Sequence, residues 1–261
     1  IMNHKPAVLC FSGHDPCGGA GIQADIEVIS SHGCHAATII TCLTQQDTHN
    51  VVTIWPQDAP QFTAQALTLI NDLNIAVIKI GLIGSAEIAV SITDIIKKLP
   101  NIPVVFDPVL AAGGGRDMSN HALRKAIINQ LLPYVSLITP NSHEARLLTG
   151  KTVLSDCAAT LQAMGADYVL ITGSHENTAT VDNSLFMPDQ KSQTFHWQRL
   201  SAEYHGSGCT LASACAALMA RGLDIYTAVT EAQDFTWQSL EAAYKTGSGQ
   251  LNPNRMFWCE S

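Results

Sequence analysis

The sequence predicts a single α/β domain built on a mostly parallel sheet that helices cover on both faces. About six short apolar runs alternate with helical patterns, which is the order expected of a sheet with right-handed crossovers. Hydrophobic residues make up 46% of the 261 residues and charged residues only 14%, enough for a large buried core. No Gly/Ser-rich linker and no internal repeat divides the chain, so we expect one domain over residues 1–261.

The first element is a continuously apolar run at residues 7–11, typical of a strand buried on both faces. A glycine-rich loop follows it and leads into a helix predicted over residues 22–32. Gly19, Gly21 and Ala24 match the G-x-G-x-x-A fingerprint of dinucleotide-binding proteins, so an NAD(P)-dependent oxidoreductase must be considered. The context weakens this match. The first glycine of the fingerprint should lie at the end of the strand, whereas Gly19 lies well past it, and no acidic residue ends the next strand.

The next strand is predicted at residues 36–43, with a polar exit at residues 44–48. Ligands of open parallel sheets bind at the carboxyl ends of the strands, which makes Gln46 a candidate reader of a ligand's donor and acceptor pattern. A solvated loop position explains Gln46 equally well. Beyond it, helices are predicted at residues 60–72, 86–99, 120–132, 157–164 and 225–244, strands at 76–80, 103–106, 135–139 and 168–172, and a hairpin at 183–187 and 193–197.

Two of the later strand ends carry polar groups suited to metal or proton chemistry. Asp107 follows the strand at residues 103–106, and a proline comes directly after it, a pair that is also typical of a plain turn. Asn141 and Glu144 follow the strand at residues 135–139 and precede a helix. Such a pair is typical of a capping box, and it also suits Mg²⁺ and phosphate-bound water. The triple glycine at residues 113–115 predicts a loop able to close over a ligand.

The late segment His-Gly-Ser-Gly-Cys-Thr, residues 205–210, precedes a run of small and apolar residues at helical spacing. The unpaired N–H groups of a helix's first turn favour an anion, and two glycines allow a ligand to approach closely. Cys209 lies at this turn, where the helix field favours its thiolate. A plain loop before a core helix, with Cys209 as a small apolar residue, is the alternative.

Charge and cysteine content exclude several classes of protein. With a net charge of −8 and only 14 Lys and Arg residues, the chain lacks the basic surface of a nucleic-acid-binding protein. No apolar run is long enough for a membrane span and no secretory signal is present, so we expect a cytoplasmic protein without membrane contact. The eight cysteines form no C-x-x-C pair and are expected to be reduced, and His32 and His35 lack further metal ligands nearby.

Six motifs occur in the order found in one known family. They are Ser12-Gly13-x-Asp15-Pro16-x-Gly18-Gly19-Ala20-Gly21-Ile22-Gln23-Ala24-Asp25, Thr44-x-Gln46, Lys79-x-Gly81, Asp107-Pro108-Val109, Thr139-Pro140-Asn141-x-x-Glu144 and His205-Gly206-Ser207-Gly208-Cys209-Thr210. Together they resemble the hydroxymethylpyrimidine/phosphomethylpyrimidine kinases of thiamine biosynthesis, which belong to the ribokinase-like superfamily. The likeness extends over nearly the whole chain.

The resemblance implies a ribokinase-like three-layer α/β/α sandwich without a separate lid domain, acting as a cytoplasmic homodimer. It implies transfer of the γ-phosphoryl of ATP, with Mg²⁺, to 4-amino-5-hydroxymethyl-2-methylpyrimidine and then to its monophosphate. Substrate would contact Gly13, Asp15, Ala20, Gln46, Leu82 and Asp107. Asn141, Glu144 and Asp107 would serve the metal, and Asn141, Thr172 and Thr210 the nucleotide. Gly206, Ser207, Gly208 and Cys209 would form the anion hole, with Cys209 either as the base or as a group that only positions the hydroxyl.

The chain departs from the family pattern near these positions. His14 stands where Ser is usual and Asp47 where Asn is usual, whereas Thr172 and Gln233 stand where many members carry Lys. The loop at residues 112–116 also differs, and Arg116 is a candidate replacement for the missing positive charge. The missing charges at residues 172 and 233 are expected to weaken phosphate contacts and the second phosphorylation, whereas His14 and Asp47, near the pocket, are expected to alter substrate preference.

Three rival functions remain open from the sequence. A pyridoxal kinase is the nearest, because some proteins with the same cysteine loop accept that ring. An NAD(P)-dependent oxidoreductase would use the Gly19 loop. A regulator that binds the pyrimidine without transferring phosphate would make Cys209 dispensable.

Overall fold

The molecule is organised around one mixed sheet, seen in a computed structural model that describes residues 4–111 and 118–259. The strands within these residues are β1 (Ala7–His14), β2 (His35–Gln46), β3 (Val51–Pro56), β4 (Ile75–Ile80), β5 (Val104–Phe106), β6 (Leu137–Ile138), β7 (Tyr168–Ile171), β8 (Thr180–Phe186) and β9 (Gln193–Gln198). Their order in the sheet is β3-β2-β1-β4-β5-β6-β7-β8-β9. Six neighbouring strands of the sheet are parallel: β2, β1, β4, β5, β6 and β7. At one end of the sheet β3 pairs antiparallel with β2, and at the other end β8 pairs antiparallel with both β7 and the edge strand β9.

Helices cover both faces of the sheet, which confirms the expected three-layer sandwich in a single domain. The helices are α1 (Gly21–Ser31), α2 (Ala59–Asp72), α3 (Ala86–Ile96), α4 (His121–Ala126), α5 (Ser142–Thr149), α6 (Leu154–Ala163), α7 (Ser207–Ala220) and α8 (Ile225–Glu241). Helices α2 to α6 share one apolar core and α1, α7 and α8 the other. Alternate residues of β1 enter the two cores, which explains why its sequence is apolar throughout.

Helix α7 is central to the second core. Ten of its residues are buried, and its small side chains allow close packing against α1, α8 and the sheet. The helix begins at Ser207, directly after Gly206, so the glycine segment forms its first turn as expected. No helix of the described residues is long and apolar enough to cross a membrane.

Several predicted boundaries are wrong. Strand β2 continues to Gln46 because β3, which the sequence did not predict, pairs with its second half. The helix expected at residues 120–132 changes to a π-helical turn after Ala126. Strand β6 has only two residues instead of five, helix α6 begins three residues earlier than expected, and helix α8 ends at Glu241 instead of Tyr244.

Candidate active site

The first turn of α7 presents backbone amides at the carboxyl edge of the parallel strands. Gly206 is the N-cap with φ +72°, a conformation that favours glycine, and no side chain caps the helix. The amides at the start of a helix have no intrahelical acceptor, so Ser207, Gly208 and Cys209 offer donors to an anion. A Cβ on Gly208 would lie 3.6 Å from Asp107 Oδ2, which places this carboxylate directly beside the turn.

The two glycine loops predicted from the sequence pack against each other. A Cβ on Gly206 would lie 2.0 Å from the carbonyl oxygen of Gly19, and a Cβ on Gly19 would lie 2.3 Å from the His205 ring. Neither position has room for a larger residue. The loop between β1 and α1 therefore forms one wall of the site that the first turn of α7 creates.

Asp15 organises this first loop. Its carboxylate accepts hydrogen bonds from the amides of Cys17 (2.8 Å), Gly19 (3.0 Å) and Ala20 (2.8 Å), and from His205 Nε2 (2.8 Å). Burial would raise the pKa of Asp15, but these donors outweigh it and hold that pKa below its ordinary value. Asp15, expected to contact substrate, thus has its carboxylate engaged within the protein.

Gln46 lies at the end of β2 and is joined to both loops through His205. Its Nε2 is 3.3 Å from His205 Nε2. Because a carboxylate can only accept, His205 Nε2 carries the proton that it donates to Asp15. The Gln46 amide then fits with its oxygen toward the imidazole, which leaves its nitrogen as a donor for a ligand.

The remaining predicted pocket residues lie close together. A Cβ on Gly13 would be 3.1 Å from Leu82 Cδ2, and a Cβ on Gly21 would be 2.3 Å from the Gly13 carbonyl. Ala20, the N-cap of α1, is tied to Asp15 and so to Gln46. The structure therefore brings Gly13, Ala20, Gln46 and Leu82 together, as the resemblance implies.

Cys209 has a different electrostatic environment from the one expected. Burial raises the pKa of its thiol to about 12, although Lys79 and the Gly21 amide act in the opposite direction. The thiol lies close to Asp107 and contributes to lowering the pKa of that carboxyl. The prediction that the helix field favours a thiolate is wrong for this structure, because desolvation is the larger effect.

Asp107 and Glu144 form a buried pair of carboxylates. Burial raises the pKa of Asp107 to about 6, against the lowering effect of Lys79. Burial and the neighbouring Asp107 raise the pKa of Glu144 to about 8. Within the described residues, Asp107 Oδ2 is buried and has no hydrogen-bond partner. Two clustered acids with an unsatisfied oxygen fit a divalent cation that takes its other ligands from substrate and water.

The Asn141–Glu144 pair also forms the capping box that the sequence left as an alternative. Asn141 Oδ1 accepts from the Glu144 amide and Glu144 Oε2 accepts from the Asn141 amide, both at 2.9 Å. The Leu110 amide donates to Glu144 Oε1 at 3.4 Å. No group of three or more His, Cys, Asp or Glu side chains in the described ranges is arranged to hold a metal. A preformed site of three protein ligands is therefore not seen there.

The two threonines expected at the nucleotide differ in position. Thr172 follows β7 and pairs through its backbone with Asn141, at the carboxyl edge of the sheet. Thr210 is fully buried, and its hydroxyl donates to the Gly206 carbonyl at 2.8 Å and accepts from Arg255 Nε at 2.9 Å. Thr210 thus stabilises the Gly206 turn from inside the protein and does not face a ligand, contrary to the expectation that it contacts the nucleotide.

Two of the residues that depart from the family pattern are engaged within the protein. The Gln233 side chain accepts from Asn183 (2.9 Å) and Trp197 (3.0 Å) and donates to Val229, so it packs inside the protein. Asp47 accepts from the amides of His49 and Asn50 in the β2–β3 turn. The predicted glycine loop at residues 113–115 and the expected cation Arg116 lie outside the described residues.

Two buried cations near the site, Lys79 and Arg255, had no role assigned from the sequence. Lys79 Nζ lies 2.7 Å from Asp25 Oδ1 and 3.2 Å from Ser12 Oγ, and both members of the ion pair have fully buried side chains. Lys79 was visible as the one charge within an apolar strand. Arg255, in the C-terminal segment, gave no such signal.

Comparison with known proteins agrees with this geometry. The family model described as phosphomethylpyrimidine kinase matches residues 15–254. A hydroxymethylpyrimidine/phosphomethylpyrimidine kinase of Haemophilus influenzae is 33% identical over 95% of this chain and 96% of its own length. The phosphomethylpyrimidine kinase of Clostridium difficile superposes with a TM-score of 0.78 at 27% identity, covering 89% of this chain and 98% of that one.

A pyridoxal kinase of Bacillus subtilis, solved as an ADP complex, superposes with a TM-score of 0.91 at 26% identity and covers 99% of this chain and 100% of that one. The expected ribokinase-like fold is therefore confirmed. The matched residues include both glycine loops, Gln46, Asp107 and the Asn141–Glu144 pair. This chain belongs to the phosphomethylpyrimidine kinase family.

Proposed function

We propose that this protein phosphorylates 4-amino-5-hydroxymethyl-2-methylpyrimidine with ATP and then phosphorylates the monophosphate, as a step of thiamine diphosphate synthesis. One observation supports this most: the first turn of α7 lies beside Asp107 and packs against the loop that borders Gln46. Phosphoryl transfer depends on positioning and on donors directed at the transferring group, and this arrangement supplies both.

In this proposal the pyrimidine binds between Gly13, Ala20, Gln46 and the backbone near Leu82. The Gln46 amide would pair with the amino and nitrogen edge of the ring, since it offers both a donor and an acceptor. The hydroxymethyl group then points toward Cys209 at the first turn of α7. The amides of Ser207, Gly208 and Cys209 stabilise the charge on the migrating phosphoryl.

The proton of the substrate hydroxyl needs an acceptor, and the buried thiol alone is a poor one. We propose that Cys209 receives this proton while its own proton passes to Asp107. The Asp107 pKa of about 6 leaves its carboxylate ionised at neutral pH. The net result is a protonated Asp107 and an unchanged thiol.

Glu144 and Asn141 would hold Mg²⁺, with Asp107 close by and left to accept the proton; the cation would neutralise phosphate charge when bound. Burial and the neighbouring Asp107 raise the pKa of Glu144, as expected of an acid whose charge a cation would neutralise. Asn141 and Thr172 lie together at the same edge of the sheet and would contact the nucleotide. Thr172 offers a hydroxyl where many relatives carry a charge, so we expect weaker phosphate binding there.

Mass spectrometry of the products formed with Mg·ATP and the hydroxymethylpyrimidine tests the proposal. We expect a monophosphate first and a diphosphate later. Absence of any phosphorylated pyrimidine would reject the proposal. A monophosphate without diphosphate would restrict it to the first reaction.

Pyridoxal kinase activity is the second candidate, favoured by the TM-score of 0.91 to the Bacillus subtilis pyridoxal kinase. A coupled assay with both alcohols separates the two. A higher kcat/KM for pyridoxal would reverse the assignment. Membership of a kinase family disfavours an oxidoreductase, and NAD(P) binding without ATP turnover would be needed to restore that hypothesis.

We also propose a homodimer. Leu43 and Trp55 are paired across β2 and β3 at a sheet edge and are 40% and 50% exposed, respectively. Large exposed apolar side chains on an edge hairpin are typical of an interface. Light scattering after size exclusion should give a mass near twice that of the chain. A monomeric mass at micromolar concentration would contradict the dimer.

A further inference from the structure

Arg255 connects the C-terminal segment to both glycine loops. Its side chain is fully buried and donates from Nε to Thr210 Oγ1 (2.9 Å), from Nη1 to Glu27 Oε2 (2.9 Å) and from Nη2 to the Gly19 carbonyl. Burying a guanidinium is costly unless its donors are satisfied. Here acceptors from three separate parts of the fold satisfy it.

The Thr210 hydroxyl extends this contact to the anion-binding turn. It accepts from Arg255 and donates to the Gly206 carbonyl at 2.8 Å. That carbonyl belongs to the same planar peptide as the Ser207 N–H, so holding one group fixes the direction of the other. A chain of hydrogen bonds that starts at a cation is also strengthened by polarisation.

The C-terminal segment is held in place independently of Arg255. The Leu251 amide donates to the Glu203 carbonyl and the His205 amide donates to the Leu251 carbonyl, both at 2.9 Å. The Asn254 amide donates to the Ser239 carbonyl of α8 at 2.8 Å. The backbone that carries Arg255 is therefore fixed to α8 and to the residues that directly precede α7.

We infer that Arg255 is a positioning residue for phosphoryl transfer: through Thr210 and Gly19 it fixes the relative orientation of the two glycine loops and of the Ser207 amide. It does not touch the substrate. The family match ends at residue 254, so this contact lies just outside the matched region. The inference rests on the proposed function only in taking that turn as the site of phosphoryl transfer.

A loss of orientation affects the transition state more than binding of the alcohol. For Arg255→Lys, which keeps the charge but cannot reach three acceptors, we expect kcat to fall about tenfold. Thr210→Val, which removes only the relay hydroxyl, should give a similar loss. In both variants KM for the alcohol should change less than threefold. Thr210→Ser, which retains the hydroxyl, should recover most of the kcat lost in the valine variant.

Glu27→Gln is the matched control. It weakens the ion pair of Arg255, but the Glu27 side chain is 40% exposed and touches neither loop through this contact. We expect its kcat to stay within twofold of wild type. Melting temperatures of all variants separate loss of stability from loss of rate. Should Arg255→Lys fail to fold, the pair of Thr210 variants decides the question.

The inference is overturned if Thr210→Val loses less than threefold in kcat, if Thr210→Ser is equally impaired, or if Glu27→Gln matches Arg255→Lys. Rates are compared with wild type on whichever alcohol it phosphorylates, hydroxymethylpyrimidine or pyridoxal. Failure of the pyrimidine assignment would therefore appear in the wild-type protein, whereas failure of the positioning role would appear only in the variants.

Discussion

Replacement of Gly206 by alanine tests the packing of the two glycine loops. Gly206 has φ +72°, and a Cβ there would lie 2.0 Å from the Gly19 carbonyl oxygen and 2.9 Å from Arg255 Nη2. Gly150, the C-cap of α5, has nearly the same φ of +69° with nothing within 4 Å of its Cβ position. Gly150→Ala therefore isolates backbone strain from the steric clash.

The two substitutions should differ in a calculable way. Left-handed backbone costs a non-glycine residue about 1–2 kcal/mol, so Gly150→Ala loses roughly that amount of unfolding free energy and Gly206→Ala, which adds the clash, loses more. Real Cβ atoms essentially never approach another atom closer than 3.0 Å, so Gly206→Ala must move the Gly19 loop by at least 1.0 Å, the difference between 3.0 and 2.0 Å. A displacement of that size in a catalytic site can cost on the order of 100-fold in rate.

The assay couples ADP release to NADH oxidation, with thermal denaturation run in parallel. We expect kcat/KM of Gly206→Ala to fall about 100-fold, whereas Gly150→Ala stays near wild type. Both variants should melt a few degrees lower than wild type. If kcat/KM of Gly206→Ala lies within threefold of Gly150→Ala, the loops do not define the site and the reasoning is wrong.

Three further predictions concern the buried ionisable groups. Cys209→Ala should lower kcat by about 100-fold or more while ADP affinity measured by calorimetry is unchanged, since proton transfer is lost; normal turnover would show that the thiol has no part in the reaction. In EDTA, wild-type protein should be more stable at pH 6 than at pH 8.5, because the folded pKa of Glu144, about 8, lies above the unfolded value of 4.5, so stability falls as pH rises toward 8. The slope is at most about 1.4 kcal/mol per pH unit for one proton, and Glu144→Gln should reduce it; an identical pH profile for this variant would contradict the assignment. Lys79→Met leaves Asp25 buried without its cation and should cost about 3–5 kcal/mol in denaturant unfolding, and Asp25→Asn combined with it should recover part of that loss; a loss below about 1 kcal/mol in the single variant would contradict the ion pair's structural role.

The parts of the fold that depend on local pattern could be predicted from the sequence. Strand β1 is apolar at every position because both of its faces are buried, and the helical spacing after Gly206 indicated α7. Strand β3 was missed because Val52, Trp55 and Pro56 are exposed at the sheet edge, so its sequence lacks a clear alternation. Its pairing with β2 is what extends β2 to Gln46.

The positions of some residues of the candidate site could also be predicted from the sequence, whereas their ionisation and distant contacts could not. Motif order placed Gln46, Asp107 and the Gly206 turn at one edge of the sheet, and the structure brings them together there. The ionisation of Cys209 could not be predicted, since burial by residues distant in sequence outweighs the local helix field. The role of Arg255 depends on partners 45 and 236 residues away, which no local pattern reveals.

Phosphoryl transfer to the pyrimidine beside Cys209 is tested by quantitative mass spectrometry of the products that wild type and Cys209→Ala form with Mg·ATP, hydroxymethylpyrimidine and pyridoxal. We expect wild type to form pyrimidine monophosphate and then diphosphate, with higher kcat/KM than for pyridoxal, and the variant to form almost none. Wild-type ADP release without a phosphorylated pyrimidine, or equal product from the variant, would contradict it.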